Sequence, residues 1–441
     1  MNTHVARAPG TQPTLPSAHA ADALYSKVSW RIIPLLIICY MVAYLDRINI
    51  GYAQLQMRQT LDFGAAAYAF GAGIFFVGYF LFEVPSNLML EKIGARKTLL
   101  RIMFCWGIVA AAMMFVTTPT QFYVARFLLG AFEAGFFPGI ILYLTFWYPP
   151  ARRGQIIAIF MTATTAAAVV AGPLSGAIMK YLDGANGWHG WQWLFLVQGL
   201  PASVLGIVAY LYLQDRPEDA HWLSASEKQT VRDHLAHDQS LVAGAAHGSF
   251  WQMLRDPKVY TLSLVYFLLL GATYTMVFWA PTLIKSWGIS DLLMIGIYSA
   301  IPNLVGVFGM VIIGRSSDRR KERRWHFFAC VLIAAVGLGL TTVTQGDFIA
   351  SLAALSFAVI GIAAATPLFF TITTEYLSKA AAAGGIALIS SLGNLGAAVS
   401  PSVTGAINAS TGSPVYSMYL VMALYLLSGA ILIGAVRAAR T

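Results

Sequence analysis

Twelve apolar runs, broken by short charged or Gly/Pro-rich stretches, organise this chain at roughly 30–54, 66–90, 99–117, 121–148, 154–179, 191–213, 258–283, 291–313, 326–344, 349–372, 384–407 and 416–436. A hydrocarbon core of about 30 Å takes about 20 apolar residues of helix, so each run is long enough to cross a bilayer. The longest polar stretch, 214–257, follows the sixth run and divides the chain six plus six. The pattern predicts an all-α membrane protein of twelve transmembrane helices in two six-helix bundles, 29–213 and 258–437, joined by a central loop over 214–257. Within that loop SASEKQTVRDHL carries helix-like charge patterning. Residues 1–28, rich in Ala, Pro and Thr, contain no apolar core that a signal peptidase would recognise, and read as a disordered tail.

Composition agrees with a lipid-solvated chain: 58% of residues are hydrophobic and 11% charged, against about 25% charged in soluble domains. The net charge of +9 does not mark a nucleic-acid binder, because the basic residues are scattered in clusters between apolar runs. Placing the amino terminus in the cytoplasm leaves Arg58, Lys180 and Lys285 on the opposite side and Arg47 and Arg126 in the membrane. Every other Lys and Arg falls on the cytoplasmic side. The positive-inside rule therefore predicts a multi-pass protein with both termini cytoplasmic. Cys39, Cys105 and Cys330 lie within apolar runs and read as packing residues, with no metal site or disulfide scaffold. GARKT at 94–98 lacks the glycine spacing of a phosphate loop, which argues against ATP as the energy source. The bilayer is the expected partner, with no cofactor and a monomeric chain.

Charges kept inside the spans carry the chemistry. They are Asp46 and Arg47 in span 1, Glu83 in span 2, and Arg126 and Glu133 in span 4. Each costs about 2.5–3.5 kcal/mol or more at a helix centre, so such residues pair, face a wet cavity and work. Arg126 and Glu133 are seven apart, which puts them on one helix face about 10 Å apart. Arg47, late in an outward span, and Arg126, early in an inward one, are expected at similar depth, where two guanidiniums would clamp a carboxylate bidentately. The alternative is that Asp46–Arg126 and Arg47–Glu133 neutralise one another as packing pairs, and the two readings can coexist, since a substrate could displace one such pair. None of the eight histidines lies within a span, so carboxylates must carry any coupled proton. Glu133, near the middle of span 4, is the one freest to titrate. Glu83, toward the cytoplasmic end of span 2, reads as a gate or loop latch, or as a structural residue. Glu375 closes span 10 beside Lys379 as an interfacial residue. Tyr44, Tyr79, Tyr274, Asn303, Ser391 and Asn394 sit away from span ends, where a polar group must find a partner, and are candidate substrate contacts.

Two basic loops recur at equivalent places, NLMLEKIGARK at 87–97 after span 2 and GRSSDRRKERR at 314–324 after span 8, which implies two repeated bundles. Both resemble the signature loop of the major facilitator superfamily. The first has Asn87 and Glu91 where the pattern has Gly and Asp; the second keeps Gly314, Asp318 and Arg319 but lacks the later Gly. Together with YLDRINIG (44–51), EVPSNLMLEKIGAR (83–96), RFLLGAFEAGFFPGIILYLTFWYP (126–149), GWQWLFLVQGLP (190–201) and GIALISSLGNLG (385–396), the chain resembles the anion:cation symporter family, whose bacterial members import galactonate, hexuronates, tartrate, phthalate or hydroxyphenylacetate with protons. The resemblance implies Glu133 and Asp46 as proton-coupling positions, Arg47 and Arg126 as anion ligands, and the loops of Glu91, Arg96, Asp318 and Arg319 as conformational latches. Where family members often show Trp-x-x-Pro in span 10, this chain has Phe370 and Thr373. The expectation is a proton-coupled importer of a sugar acid or related carboxylate. The rivals are a symporter of an aromatic acid of the hydroxyphenylacetate or phthalate type and, more remotely, a non-transporting membrane sensor. No nucleophile–base constellation points to an enzyme.

Overall fold

In lipid, backbone N–H and C=O groups find no water, so long apolar runs must satisfy them internally and become helices. The structure, a computed structural model, describes residues 18–61, 63–243, 256–377, 379–412 and 414–435, and among them it is helical with no strand. The first half comprises α1 (Ala18–Ile48), α2 (Ile50–Thr60), α3 (Ala65–Ile93), α4 (Ala95–Ala112), α5 (Pro119–Glu133), α6 (Phe136–Thr145), α7 (Pro150–Tyr181) and α8 (Gly190–Tyr212). After α9 (Ala225–Ala243), the second half comprises α10 (Pro257–Ser286), α11 (Leu292–Arg320), α12 (Arg324–Val343), α13 (Phe348–Tyr376), α14 (Lys379–Thr411) and α15 (Pro414–Ala435). Eleven stretches of the described residues are long and apolar enough to span a membrane, with α1–α2 forming one and α5–α6 another. The 33-residue α14 supplies the twelfth span.

In the first bundle α3 packs on α5, α4 on α8 and α1 on α7; in the second α10 packs on α14, and α12 on α13 and α15. The bundles meet along two seams, α3 against α14 and α7 against α11. Bare backbone makes the second seam possible. A Cβ added to Gly172 would lie 2.2 Å from the carbonyl oxygen of Gly296, and one on Gly296 would lie 2.1 Å from that of Gly172. Close by, Gln54 Nε2 donates to the Phe278 carbonyl at 2.7 Å, Lys285 donates to that of Leu55 at 3.4 Å, and Lys180 pairs with Asp291. These contacts seal the bundles on the face away from the termini.

One expectation is corrected. The amino-terminal tail was expected to reach residue 28, but α1 already begins at Ala18, because Tyr25 and Val28 are buried and Lys27 donates to Glu227 at 2.9 Å. The central loop carries α9, held against the first bundle by that ion pair and by the stacking of Tyr25 on His234. Trp222, just before α9, stacks on Trp147 with ring centres 5.7 Å apart. Residues 244–255 of the loop lie outside the described residues.

Candidate functional site

Of the spans that carry intramembrane charges, the fourth is interrupted beside Glu133, whereas the first breaks only at Asn49, whose backbone keeps helical angles at φ −59° and ψ −27°. Asn49 alone separates α1 from α2, three residues after Asp46. The fourth span starts at a capping box, in which Thr118 accepts from the Gln121 backbone N–H and Pro119 opens the helix, and α5 stops at Glu133. The stop is set by Gly135, in the left-handed region at φ +85°, where a Cβ would also lie 2.5 Å from Ser86 Oγ. An interruption of this kind at membrane depth is tolerated where protein surrounds the backbone.

Arg47 reaches across to Glu133. Its Nε donates to Oε1 at 3.1 Å and its Nη2 contacts the same oxygen, while Nη1 donates to the Tyr274 hydroxyl of the second bundle at 3.2 Å. The guanidinium also lies 5.4 Å from the ring centre of Tyr79 and 5.7 Å from that of Phe75. Glu133 Oε2 is buried and has no hydrogen-bond partner among the described residues. The Arg47 side chain is 14% exposed and that of Glu133 1%, so a solute reaching the pair meets the guanidinium first. An anion there could take over the N–H groups of Arg47, leaving a buried carboxylate that is relieved by a proton.

Asp46, next in the chain, points the other way. Its Oδ2 accepts from the indole N–H of Trp106 at 2.7 Å and its Oδ1 from the Asn49 amide at 3.1 Å. Arg126 is almost fully buried and donates to the carbonyls of Gly71 at 3.2 Å and Ala72 at 3.5 Å, with Phe75 beneath it. The expected clamp of Arg47 and Arg126 is therefore not formed here. The first span extends to Thr60, which places Arg47 nearer its middle and level with Glu133 rather than with Arg126. The Arg47–Glu133 packing pair is present, whereas no ion pair joins Asp46 to Arg126 among the described residues.

Of the other candidates, Tyr79 and Tyr274 flank Arg47, and Tyr44 packs partly buried against the same core. Glu83 Oε2 accepts from Ser391 Oγ at 2.9 Å, a tie between α3 and α14 rather than to a basic loop. Asn394 lies one turn further along α14 and is partly buried. Asn303 spends its amide on the Ser299 carbonyl of its own helix at 2.9 Å. Phe370 meets the edge of Tyr266 at 5.0 Å. In the loops, Arg96 donates to the Tyr210 carbonyl at 2.7 and 2.9 Å and its backbone N–H to Asp215 at 2.9 Å. Asp318 accepts from Arg323, which also reaches Glu375 at 3.4 Å, and Arg319 is exposed. The side chain of Glu91 lies outside the described residues. Sequence reasoning missed Trp106, which resembles any core aromatic, and Asn49, although it lies inside the YLDRINIG motif.

Comparison with known proteins adds to this geometry. The family model described as Major Facilitator Superfamily matches residues 36–401. The protein named "Putative metabolite transport protein NicT" of Pseudomonas putida is 44% identical over 410 residues, covering 93% of this chain and 94% of that one. A "Putative tartrate transporter" of Agrobacterium vitis is 46% identical over 402 residues, covering 91% and 92%. Among solved structures, a bacterial homologue of the human lysosomal transporter Spinster superposes with a TM-score of 0.75 at 18% identity, over 95% of this chain and 97% of that one.

Proposed function

The chain belongs to the Major Facilitator Superfamily, a family of transporters and not of enzymes, and from that premise we propose that it is a proton-coupled symporter importing a small organic anion, a sugar acid or related carboxylate, by alternating access. The observation that carries the reading is the Arg47–Glu133 pair, partly exposed on the arginine side, touching the second bundle through Tyr274, and leaving Glu133 Oε2 without a partner. Substrate carboxylate takes the guanidinium, and the released Glu133 takes a proton on Oε2. Uptake of at least one proton with each monoanion avoids moving net charge against an inside-negative potential, about 2.3 kcal/mol per charge per 100 mV. The relative named for tartrate supports a hydroxylated carboxylate. The positive-inside rule puts the sealed face outside, so the structure corresponds to the state closed to the outside, in a bacterial inner membrane with both termini cytoplasmic. Asp46 and Arg126, buried in the same bundle, are the second proton and anion positions in this reading.

A second reading, an aromatic acid as cargo, is favoured by the rings of Phe75, Tyr79 and Tyr274 around the partly exposed Arg47 guanidinium. Competition of hydroxyphenylacetate against labelled tartrate separates the two. The central test uses proteoliposomes with an imposed pH gradient. Each coupled proton per pH unit supports about tenfold accumulation, since one unit is about 1.4 kcal/mol. Glu133→Gln is expected to exchange tartrate but not to concentrate it. Undiminished accumulation by this variant would exclude Glu133 as the coupling site.

A further inference from the structure

Asp46 sits in an arrangement that its neighbours' chemistry makes specific. The charged groups acting on it are Arg126 from α5, its chain neighbour Arg47 and the more distant Glu133, yet none is bonded to it. Its two oxygens are instead held by two neutral groups from different elements, the Trp106 indole of α4 and the Asn49 amide between α1 and α2. Both partners are fully buried, and Asn49 Oδ1 is itself a buried acceptor with no hydrogen-bond partner among the described residues.

We propose that Trp106 and Asn49 are positioning residues for the exchange of a proton at Asp46, with the Asn49 carboxamide turning over as the proton arrives. The inference rests on the reading that Asp46 takes part in proton coupling, and it assigns the residues that make that exchange possible in a buried site. An indole N–H can only donate, so it keeps Oδ2 as the unprotonated oxygen and directs an incoming proton to Oδ1. There the new O–H would oppose the N–H of Asn49, donor against donor. A half-turn of the amide brings Asn49 Oδ1 round to accept that O–H. One polar atom of the amide is then unpaired in either state, Oδ1 when Asp46 is ionised and Nδ2 when it is protonated, so the proton is exchanged without a further buried group being orphaned. The step adds one proton to Asp46 Oδ1 and breaks only the Asn49 N–H···O contact.

Infrared difference spectra of the reconstituted protein between neutral and acid pH test this. The carboxylic-acid C=O band of Asp46 is identified by its loss in Asp46→Asn. In Asn49→Leu and in Trp106→Phe, which keep bulk but remove the polar partners, the band is expected to move to higher wavenumber. The pH of half-maximal tartrate accumulation should move upward by about one unit, a tenfold change in proton affinity, because the ionised form loses the stronger bonds. Asn49→Ser, which can both donate and accept, should restore the band toward its native position. Packing roles alone would lower the melting temperature and leave the band where it is, and an unmoved band in the folded variants overturns the proposal. If one variant does not fold, the other carries the test. A missing Asp46 band across the pH range instead removes Asp46 from proton coupling, and this inference with it.

Discussion

Gly172→Ala is expected to unseal the bundles. The added Cβ would lie 2.2 Å from the Gly296 carbonyl oxygen, where ordinary contact begins at 3.4 Å, so α7 and α11 must part by about the 1.2 Å difference. The obstacle is backbone on a facing helix, and no rotamer change relieves it. Overpacking of this kind costs about 1–3 kcal/mol, and the cost falls only on the sealed state, since separated bundles have no such contact. The equilibrium should therefore shift toward the state open on this face by about 5- to 150-fold. Ser299, one turn along α11 from Gly296 and 5% exposed, is a suitable reporter. In purified protein lacking Cys39, Cys105 and Cys330, maleimide should label Ser299→Cys faster by that factor when Gly172→Ala is present. An unchanged rate, with melting intact, would refute the claim that the glycine seam holds the seal.

Lys180 and Asp291 tie the same rim, and the hydrogen bond from Lys180 holds the Asp291 carboxyl below the usual carboxylate range. A depressed value means the tie is present above it and is lost as pH falls through it, so labelling of the reporter should rise at acid pH and lose that dependence in Asp291→Asn. Arg47→Lys keeps the charge but loses the fork, and the loss of one charge-assisted hydrogen bond should weaken tartrate binding by about 10- to 150-fold in calorimetry. Gly135→Ala forces a side chain into the left-handed region at a cost of about 1–2 kcal/mol and against Ser86, so its melting temperature should fall, while Gly154→Ala, at a helical position in open space, should hold or raise it.

Much of this protein was legible along the chain. Lipid leaves a span no alternative to helix, so apolar length set the spans, and the rarity of charge in them singled out Asp46, Arg47, Glu83, Arg126 and Glu133. The quoted motifs carried the family. Which charge meets which was not legible, because helical periodicity fixes a face but not the depth of one helix against another. An extended α1–α2 put Arg47 opposite Glu133 and left Arg126 to backbone carbonyls. Nor could sequence say that Trp106 lies against Asp46, 60 residues away, or that Gly172 and Gly296 touch. Those depend on how α4, packed on α8 and α5, is placed to reach α1 and how the two bundles close, distances that only the sum of all side-chain volumes in the interior decides.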